Sequence, residues 1–401
     1  MQETRVFASQ IDPVHLTQIV AKSLDIDSIK IKEWHCQTLT GGLEMHSAVV
    51  RCKGLAENRE RILPWSLVIK KFSPDEQFDD PVGWRYWKRE VLAFQSGFLE
   101  NMPENLAAPH CFGVEDHPDG SIWVWMEDVA DGSDPPWTME VYAEIAHQLG
   151  LYNGAFLAGT SMPNDEWVTH DWLRKYVEHA SPMVDFVRSK PDHPLVKSLY
   201  GGNRPFILAF WEVRNDLLKV LDGMPRVFCH QDAFKRNLFF HEEKLVGIDW
   251  GYAGIAPPGS EIVPLVVVAH DFCDFPIEKT HELDALCFHA YIRGLEEKAG
   301  HISSREVRRC YTFTMLLRYL LGGNVGEVLP ALLDDSRHQW IEEGFNQSAE
   351  AISKTDPEVG KYYFSIFLES LRLMGIKPVL KIIWYTLKYS FPKKSKALET
   401  I

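Results

Sequence analysis

The chain lacks the excess of basic residues that nucleic-acid-binding proteins carry. Its 401 residues include 42 Lys and Arg against 56 Asp and Glu, a formal net charge of -14. A protein of that sign repels a phosphate backbone, which such proteins neutralise with Lys and Arg. The composition therefore argues against nucleic acid as a partner.

Paired cysteines and long apolar runs are also missing. None of the seven cysteines forms a Cys-x-x-Cys pair. We therefore expect no disulfide framework and no structural zinc site, but reduced thiols in a cytoplasmic protein. The longest obvious apolar run, residues 262–269, is far shorter than the roughly 20 residues that span a bilayer. The charged first twenty residues do not resemble a signal peptide, so we predict a cytoplasmic protein without a membrane span.

The composition changes once along the chain. Strand-like runs such as "HSAVVRCKG", "WSLVIKKF" and "SIWVWMED" dominate the first 130 residues, interrupted by a predicted helix, "WRYWKREVLAFQSGFLE". After "MEDVADGSDPPW", rich in Gly, Pro and Asp, the pattern is mostly helical. This change predicts an N-terminal domain over 1–130 and a helical domain over 131–401.

One stretch of the helical part departs from that pattern. In "VFCHQDAFKRNLFF", residues 227–240, charged and amide side chains stand between two apolar runs. The β-like segments "RVFC" and "KLVGIDW" flank this polar turn, which predicts a small hairpin-like sheet among helices. A polar loop held by apolar strands fixes side chains rigidly at a cleft.

Three residues of this region are suited to phosphate chemistry. Asp232 and Asn237 stand five apart, and Asp249 follows in "LVGIDWGYAG". Their hard oxygen donors suit Mg²⁺, with Asp232 left to orient or deprotonate a hydroxyl. Phosphoryl transfer needs both a metal and a base beside the acceptor.

The same residues carry a resemblance to a known family. "HQDAFKRN" followed by "IDWG" resembles the catalytic loop and metal-binding segment of the aminoglycoside phosphotransferase and choline kinase-like superfamily. The resemblance implies that Asp232 is the catalytic base, that Asn237 and Asp249 bind magnesium, and that His230 braces the loop. The sequence departs from many relatives in having Lys235 and Arg236 in place of a small or Gly-Pro pair. These cations either contact the transferred phosphate or face solvent.

A kinase-like protein also needs a lysine for the α- and β-phosphates and a helical glutamate to hold it. "LVIKK" supplies Lys70, with Lys71 as the competitor, and "WKREVLAF" supplies Glu90. Val68 and Lys70 share one face of a strand, whereas Lys71 points away. We therefore expect Val68 to cover the adenine and Lys70 to reach the phosphates.

The resemblance also implies a linker that contacts adenine and a loop that covers the phosphates. In "WMEDVADG", Met126 precedes the linker, and Glu127 and Val129 are the candidates for main-chain contacts. "LTGGLEMHSAVVR" has two glycines before a strand but not the full G-x-G-x-x-G pattern. Ser47 is its candidate phosphate contact.

Together these residues imply an α+β, protein kinase-like two-lobed fold. We expect a small N-terminal lobe with a five-stranded antiparallel sheet and one flanking helix, followed by a large, mainly helical C-terminal lobe. The expected function is a small-molecule kinase that uses Mg²⁺ and transfers the γ-phosphate of ATP or GTP to an acceptor hydroxyl. The acidic residues Asp271, Asp274 and Glu278 either line a cleft that takes a cationic acceptor, such as an aminoglycoside or amino alcohol, or only keep the protein soluble.

Other hypotheses on the function of the chain and on its last helix remain open. The chain could be a catalytically silent, kinase-like nucleotide-binding protein. His270 and Asp271 beside Asp274 are similar to the metal-binding pair of phosphohydrolases, but His281 and His289 are not spaced to complete such a site. The segment "KPVLKIIWYTLKYSFPKKSK" mixes aromatic residues with lysines; a helix docked on the core is favoured over one on a membrane surface.

Overall fold

The computed structural model of the protein describes residues 9–39, 47–59, 61–129, 137–241, 244–272, 274–354 and 357–391. The chain forms two compact units. The first comprises residues 1–136, 163–168 and 236–253, and the second comprises residues 137–162, 169–235 and 254–401. Each unit is therefore assembled from separate parts of the chain. The boundary predicted at residue 130 stays a prediction.

A five-stranded antiparallel sheet forms the centre of the first unit, as the sequence predicts. Its order is β1-β2-β3-β5-β4, and its strands are β1 Lys30–Thr38, β2 Ser47–Asn58, β3 Arg61–Phe72, β4 Cys111–Asp116 and β5 Ile122–Glu127. Alternation along β3 buries Trp65, Leu67 and Ile69 in one hydrophobic core. Val68 and Lys70 therefore lie on the opposite face of the sheet.

Helices Pro13–Ser23 and Arg89–Gln95 accompany this sheet in the described part of the unit, where the sequence predicted one helix. Helix α1, Pro13–Ser23, begins at Asp12, whose carboxylate accepts hydrogen bonds from the N–H groups of Val14 and His15. Its residues Leu16, Ile19 and Val20 belong to the same core as β3. Helix α2, Arg89–Gln95, is the predicted one but is shorter than the predicted span.

The expectation that all cysteines are reduced thiols is wrong for one pair. Cys36 on β1 lies opposite Cys52 on β2, and the two form a disulfide. The pairing follows from strand register, because two residues 16 apart in sequence meet across an antiparallel ladder. These two cysteines no longer support the thiol argument for a cytoplasmic location.

The predicted sheet around the polar turn exists, but its pairing is different. In the first unit, β7 (Leu238–His241) pairs with β8 (Lys244–Gly247). In the second unit, β6 (Val227–Cys229) pairs with β9 (Gly254–Ala256). The prediction that "RVFC" and "KLVG" flank one hairpin is therefore wrong, because each segment takes a different antiparallel partner.

The rest of the second unit is helical. Its α-helices are α3 Met139–Leu157, α4 Trp172–His179, α5 Ser181–Ser189, α6 Pro194–Leu199, α7 Arg204–Asp222, α8 Val263–Asp271, α9 Thr280–Ala299, α10 Ser304–Met315, α11 Leu329–Leu333, α12 His338–Phe345, α13 Ala349–Ile352, α14 Pro357–Leu373 and α15 Ile376–Ser390. A π-helical segment, Leu316–Val328, joins α10 to α11.

Short 3-10 turns occur in both units. They are Glu76–Phe78, Leu99–Asn101, Gly201–Asn203, Lys235–Asn237, Trp250–Tyr252, Ile277–Lys279 and Asp335–Arg337.

Helices α3 and α9 pack closely because glycines line their contact. A Cβ atom added at Gly150 would lie 2.3 Å from the carbonyl oxygen of Tyr291, and one at Gly294 would lie 2.3 Å from that of His147. In the ranges that the structure describes, no helix combines the length and the apolar character needed to cross a membrane.

Candidate active site

Three charged residues from distant parts of the sequence meet in the first unit. The Nζ atom of Lys70 donates to Glu90 Oε2 at 2.6 Å and to Asp249 Oδ1 at 2.7 Å. Lys70 and Glu90 are buried, whereas Asp249 is partly exposed. We call this group the lysine cluster. Lys71 instead pairs with Asp119 at 3.1 Å, in agreement with the choice of Lys70 by strand alternation.

A buried arginine fixes the elements around the lysine cluster. Arg89 precedes Glu90 on α2 and is fully buried. It donates to the carbonyl oxygen of Gly251 at 2.9 Å and to that of Trp167 at 3.1 Å. Burial lowers the pKa of Arg89 to about 10, so the guanidinium keeps its charge at neutral pH. Arg89 therefore ties the helix of Glu90 to the segment that follows Asp249.

Asp249 has a backbone conformation that few residues adopt. Its φ of 65° and ψ of 69° lie in the left-handed region, which Asp and Asn tolerate better than most residues but which still costs about 1 kcal/mol or more. The following residue, Trp250, is buried and donates from Nε1 to the carbonyl oxygen of Gly247 at 2.8 Å. This anchor holds the turn that presents Asp249 to Lys70.

The second predicted metal ligand, Asn237, lies at the end of the 3-10 turn that directly precedes β7. The carbonyl oxygen of Asn237 accepts from the N–H group of Ile248 at 2.9 Å, so Asn237 lies beside the residue that precedes Asp249. One carboxylate and one amide oxygen at adjoining strand ends fit Mg²⁺, which proteins hold with one or two carboxylates plus substrate phosphates. Among the described residues no three His, Cys, Asp or Glu side chains are grouped as a metal site, so the His270 and Asp271 pair has no metal-binding partners there.

The predicted adenine linker follows β5 directly. Met126 and Val129 are buried, and the N–H group of Glu127 donates to the carbonyl oxygen of His110 at 2.9 Å. Between Glu127 and Val129, the carboxylate of Asp128 accepts hydrogen bonds from Ser66 Oγ at 2.5 Å and from Arg51 Nη2 at 2.9 Å. Side chains on β2 and β3 thus fix this linker.

The predicted phosphate-covering loop is mostly outside the described residues. Gly41 and Gly42 fall there, and the structure places only the backbone of Ser47, at the start of β2 opposite Phe72. The role of Ser47 stays a prediction.

Asp232, the predicted base, belongs to the second unit, because the chain passes to the first unit between Lys235 and Arg236. Its N–H group donates to His230 Nδ1 at 3.1 Å, which is the bracing contact expected of His230. The intervening Gln231 has a φ of 66°. Left-handed non-glycine residues thus occur at both Gln231 and Asp249, as is common at sites that hold functional side chains in strained backbone.

A buried glutamate holds the backbone of this loop. Glu261 Oε2 accepts from the N–H group of His230 at 2.8 Å, and Oε1 accepts from that of Gln231 at 3.3 Å. Burial raises the pKa of Glu261 from 4.5 to about 7, although these hydrogen bonds act in the opposite direction. The Glu261 carboxylate therefore loses hydration on burial, while its hydrogen bonds fix the backbone of His230 and Gln231.

Arg318, on the π-helical segment, holds the predicted base itself. It is buried, and its Nη2 donates to Asp232 Oδ1 at 2.9 Å, while Nη1 donates to the carbonyl oxygen of Gln231. The guanidinium also lies 4.6 Å from the ring centroid of Trp172. A planar fork of this kind fixes both the position and the orientation of a carboxylate.

Further charges lie near Asp232. The carboxylates of Asp232 and Asp271 both act on Tyr319, a partly buried residue whose pKa is raised chiefly by desolvation and further by these two charges. Lys235 Nζ lies 3.9 Å from Asp274, so its charge is partly offset within the same unit. Arg236 is exposed, as expected for a cation that faces solvent.

Four residues of the site were not predicted from the sequence: Arg89, Asp128, Glu261 and Arg318. A signal existed for two of them. Glu261 immediately precedes the apolar run of residues 262–269, and Arg318 interrupts the apolar stretch "MLLRYLLGG". A single charge in a segment that is otherwise buried must find a partner, and in both cases that partner is the loop of Asp232.

The chain is similar to phosphotransferases of known sequence and structure. A sequence model described as "Phosphotransferase enzyme family" matches residues 105–301. A choline kinase from Cryptosporidium parvum Iowa II superposes with a TM-score of 0.51 at 14% identity, covering 88% of this chain and 93% of that one. No curated protein sequence matches the chain.

Two further structures are similar at lower scores. An amicoumacin kinase in complex with AMP-PNP, Ca²⁺ and Ami has a TM-score of 0.49 at 11% identity, covering 86% of this chain and 97% of that one. The GDP complex of an aminoglycoside 2'-phosphotransferase-IIIa has a TM-score of 0.46 at 17% identity, covering 86% and 99%. The sequence match over residues 105–301 confirms the resemblance stated from the sequence, and the choline kinase superposition confirms the α+β, protein kinase-like fold.

Proposed function

We propose that this chain, with its match to the phosphotransferase family and its kinase-like fold, is a small-molecule kinase that transfers the γ-phosphate of ATP or GTP to an acceptor hydroxyl. The observation that carries the proposal is the lysine cluster. Residues 70, 90 and 249 come from a strand, a helix and a turn, yet one ammonium group bonds two carboxylates at 2.6 and 2.7 Å. Burying such charges is costly, so an arrangement that brings them together fits a nucleotide site better than a role in folding alone.

Within this proposal, the first unit binds the nucleotide. Lys70 contacts the α- and β-phosphates and is held by Glu90. Asn237 and Asp249 hold Mg²⁺, which when bound neutralises charge on the phosphates. Met126, Glu127 and Val129 line the adenine site. Because the N–H group of Glu127 already bonds His110, its main-chain contact with the base is through the carbonyl oxygen.

Asp232 is the proposed base. It accepts the proton of the acceptor hydroxyl as that oxygen bonds to the γ-phosphorus and the bond to the nucleoside diphosphate breaks. Arg318 and His230 keep the Asp232 carboxylate and backbone in one position, which lowers the reorganisation needed at the moment of transfer.

We further propose a cationic, hydroxyl-bearing acceptor, such as an aminoglycoside or an amino alcohol. Two observations support this class. Asp271 carries a second negative charge near Tyr319, the residue on which Asp232 also acts, and the whole chain has a net charge of -14. A cleft of one sign concentrates ligands of the opposite sign.

Nucleotide consumption tests the proposal. The protein would be incubated with Mg²⁺ and ATP or GTP, and with aminoglycosides, macrolides, amino alcohols and sugars in turn. We expect turnover with at least one class of acceptor, and a loss of roughly two to four powers of ten on Asp232→Asn, the usual contribution of a positioned base. Asp119→Asn is a matched control, because it removes a carboxylate that pairs with Lys71.

The opposite outcome is also informative. Metal-dependent nucleotide binding without turnover of any acceptor would favour a silent binding protein over a kinase. Equal turnover by the parent and Asp232→Asn would remove Asp232 from its proposed role.

A further inference from the structure

Helix α15 leaves a continuous apolar surface uncovered. Six large apolar side chains on it or directly after it are between 44% and 75% exposed: Ile376, Leu380, Ile383, Trp384, Leu387 and Phe391. At 3.6 residues per turn they lie within about 100° of the helix circumference. We call them the apolar stripe. Water-exposed apolar side chains are ordinary when scattered, but a contiguous patch indicates a binding surface.

The stripe is not the face by which α15 packs on the protein. Ile382, on another side of the helix, is buried. Lys381 Nζ donates to Asp216 at 2.7 Å and the hydroxyl of Tyr389 donates to Glu212 at 2.6 Å, both on α7. These contacts fix the helix on α7 while the stripe faces outward.

A row of lysines runs along one edge of the stripe. Lys377, Lys381 and Lys388 lie within about 60° of Trp384 on the helix circumference. Residues 376–401 contain six lysines and one acidic residue, Glu399, in a chain whose net charge is -14. The charge of this segment is therefore opposite to that of the protein as a whole.

We propose that α15 binds the surface of a membrane that contains anionic phospholipids. An amphipathic helix with lysines beside an apolar face of Leu, Ile, Trp and Phe lies in the interface of a bilayer, with its apolar side chains among the acyl chains and its cations at the headgroups. Trp384 suits that depth, because an indole ring favours the interfacial layer.

Two other occupants of the apolar stripe, residues 392–401 of this chain and a second copy of the chain, fit it less well than a membrane does. Residues 392–401 carry only two large apolar side chains, Leu398 and Ile401, against six in the stripe. A second copy packed antiparallel on the same surface by two-fold symmetry would bring two lysine rows together, which like-charge repulsion opposes.

Vesicle binding tests the proposal independently of the kinase activity. The full chain would be sedimented with vesicles of phosphatidylcholine, with and without phosphatidylserine. We expect binding to the mixed vesicles that weakens with added salt, and much weaker binding to pure phosphatidylcholine. The double variant Leu380→Glu/Leu387→Glu should lower the partition coefficient by at least about tenfold. Lys377→Gln/Lys388→Gln should lower it by about thirtyfold on the mixed vesicles alone, at about 1 kcal/mol for each lysine.

The matched control is Val14→Glu/Ile62→Glu, which changes two exposed apolar residues of the first unit and should leave vesicle binding unchanged. The molar mass of the parent would be followed by light scattering as protein concentration rises. Absence of binding to mixed vesicles overturns the proposal, whether the chain is monomeric or self-associates through the stripe. Equal loss of binding in the control overturns it as well.

Discussion

Replacing Arg318 by Met should slow phosphoryl transfer with little change in nucleotide binding. The substitution removes the 2.9 Å bond from the guanidinium to Asp232 and the bond to the carbonyl oxygen of Gln231. A hydrogen bond to a charged group contributes about 1.5 to 3 kcal/mol. If the bond to Asp232 is needed in the transition state, kcat should fall by roughly 10- to 150-fold, since each 1.36 kcal/mol is tenfold.

The same substitution should also destabilise the protein, so a matched variant is needed. Arg308 is a partly buried arginine of the same unit, and it bonds Glu369 at 2.7 Å and Asp284 rather than the loop of Asp232. Arg308→Met and Arg318→Met should each lose about 3 to 5 kcal/mol of unfolding free energy. Only Arg318→Met should lose kcat.

Steady-state kinetics with an active acceptor separate these effects. The Michaelis constant for nucleotide should change less than about threefold, because a group that acts only in the transition state alters kcat. Arg318→Lys keeps the charge but not the fork and should recover part of the rate. An Arg318→Met enzyme with kcat near that of the parent, or an equal loss in Arg308→Met, would refute the positioning role.

Local rules were sufficient to select the first-unit residues that meet in the lysine cluster, whose role in a nucleotide site stays a prediction. Strand alternation separates Lys70 from Lys71, and the structure shows the two lysines with different partners, Glu90 and Asp119. Antiparallel pairing between β3 and β5 then places Val68 opposite Met126. The five-stranded sheet follows from runs of four to eight apolar and β-branched residues, which is the most reliable strand signal.

The residues that hold the loop of Asp232 in place could not be predicted in the same way. Arg318 lies 86 residues from Asp232, and Glu261 lies 31 from His230, so no local period relates them. The contact depends on how helices pack, which hydrophobic patterns alone do not specify. The disulfide was missed for a similar reason, since its spacing of 16 has meaning only once the register of β1 and β2 is known.

Three further outcomes can be tested. Asp249→Ala should weaken binding of Mg²⁺-nucleotide as well as turnover, measured by calorimetry with and without Mg²⁺; unchanged affinity would contradict a role for Asp249 at the metal. The second-order rate constant for a cationic acceptor should fall between low and physiological ionic strength, where the Debye length shrinks to about 8 Å, and efficient turnover of a neutral acceptor alone would contradict the charge argument. The last outcome concerns Glu261, whose pKa in the folded protein is raised by burial from 4.5 to about 7. Because the protonated form is favoured in the folded state, its contribution to stability is complete below about pH 4.5 and is lost as pH rises through about 7. Relative to Glu261→Gln, which cannot ionise, the parent should therefore lose unfolding free energy on the order of 3 kcal/mol over that window, at 1.36 kcal/mol for each pKa unit. Urea unfolding of both proteins measures the difference; parallel pH curves would mean that Glu261 ionises in the folded protein much as it does in the unfolded chain, and that its bonds to His230 and Gln231 offset its burial completely.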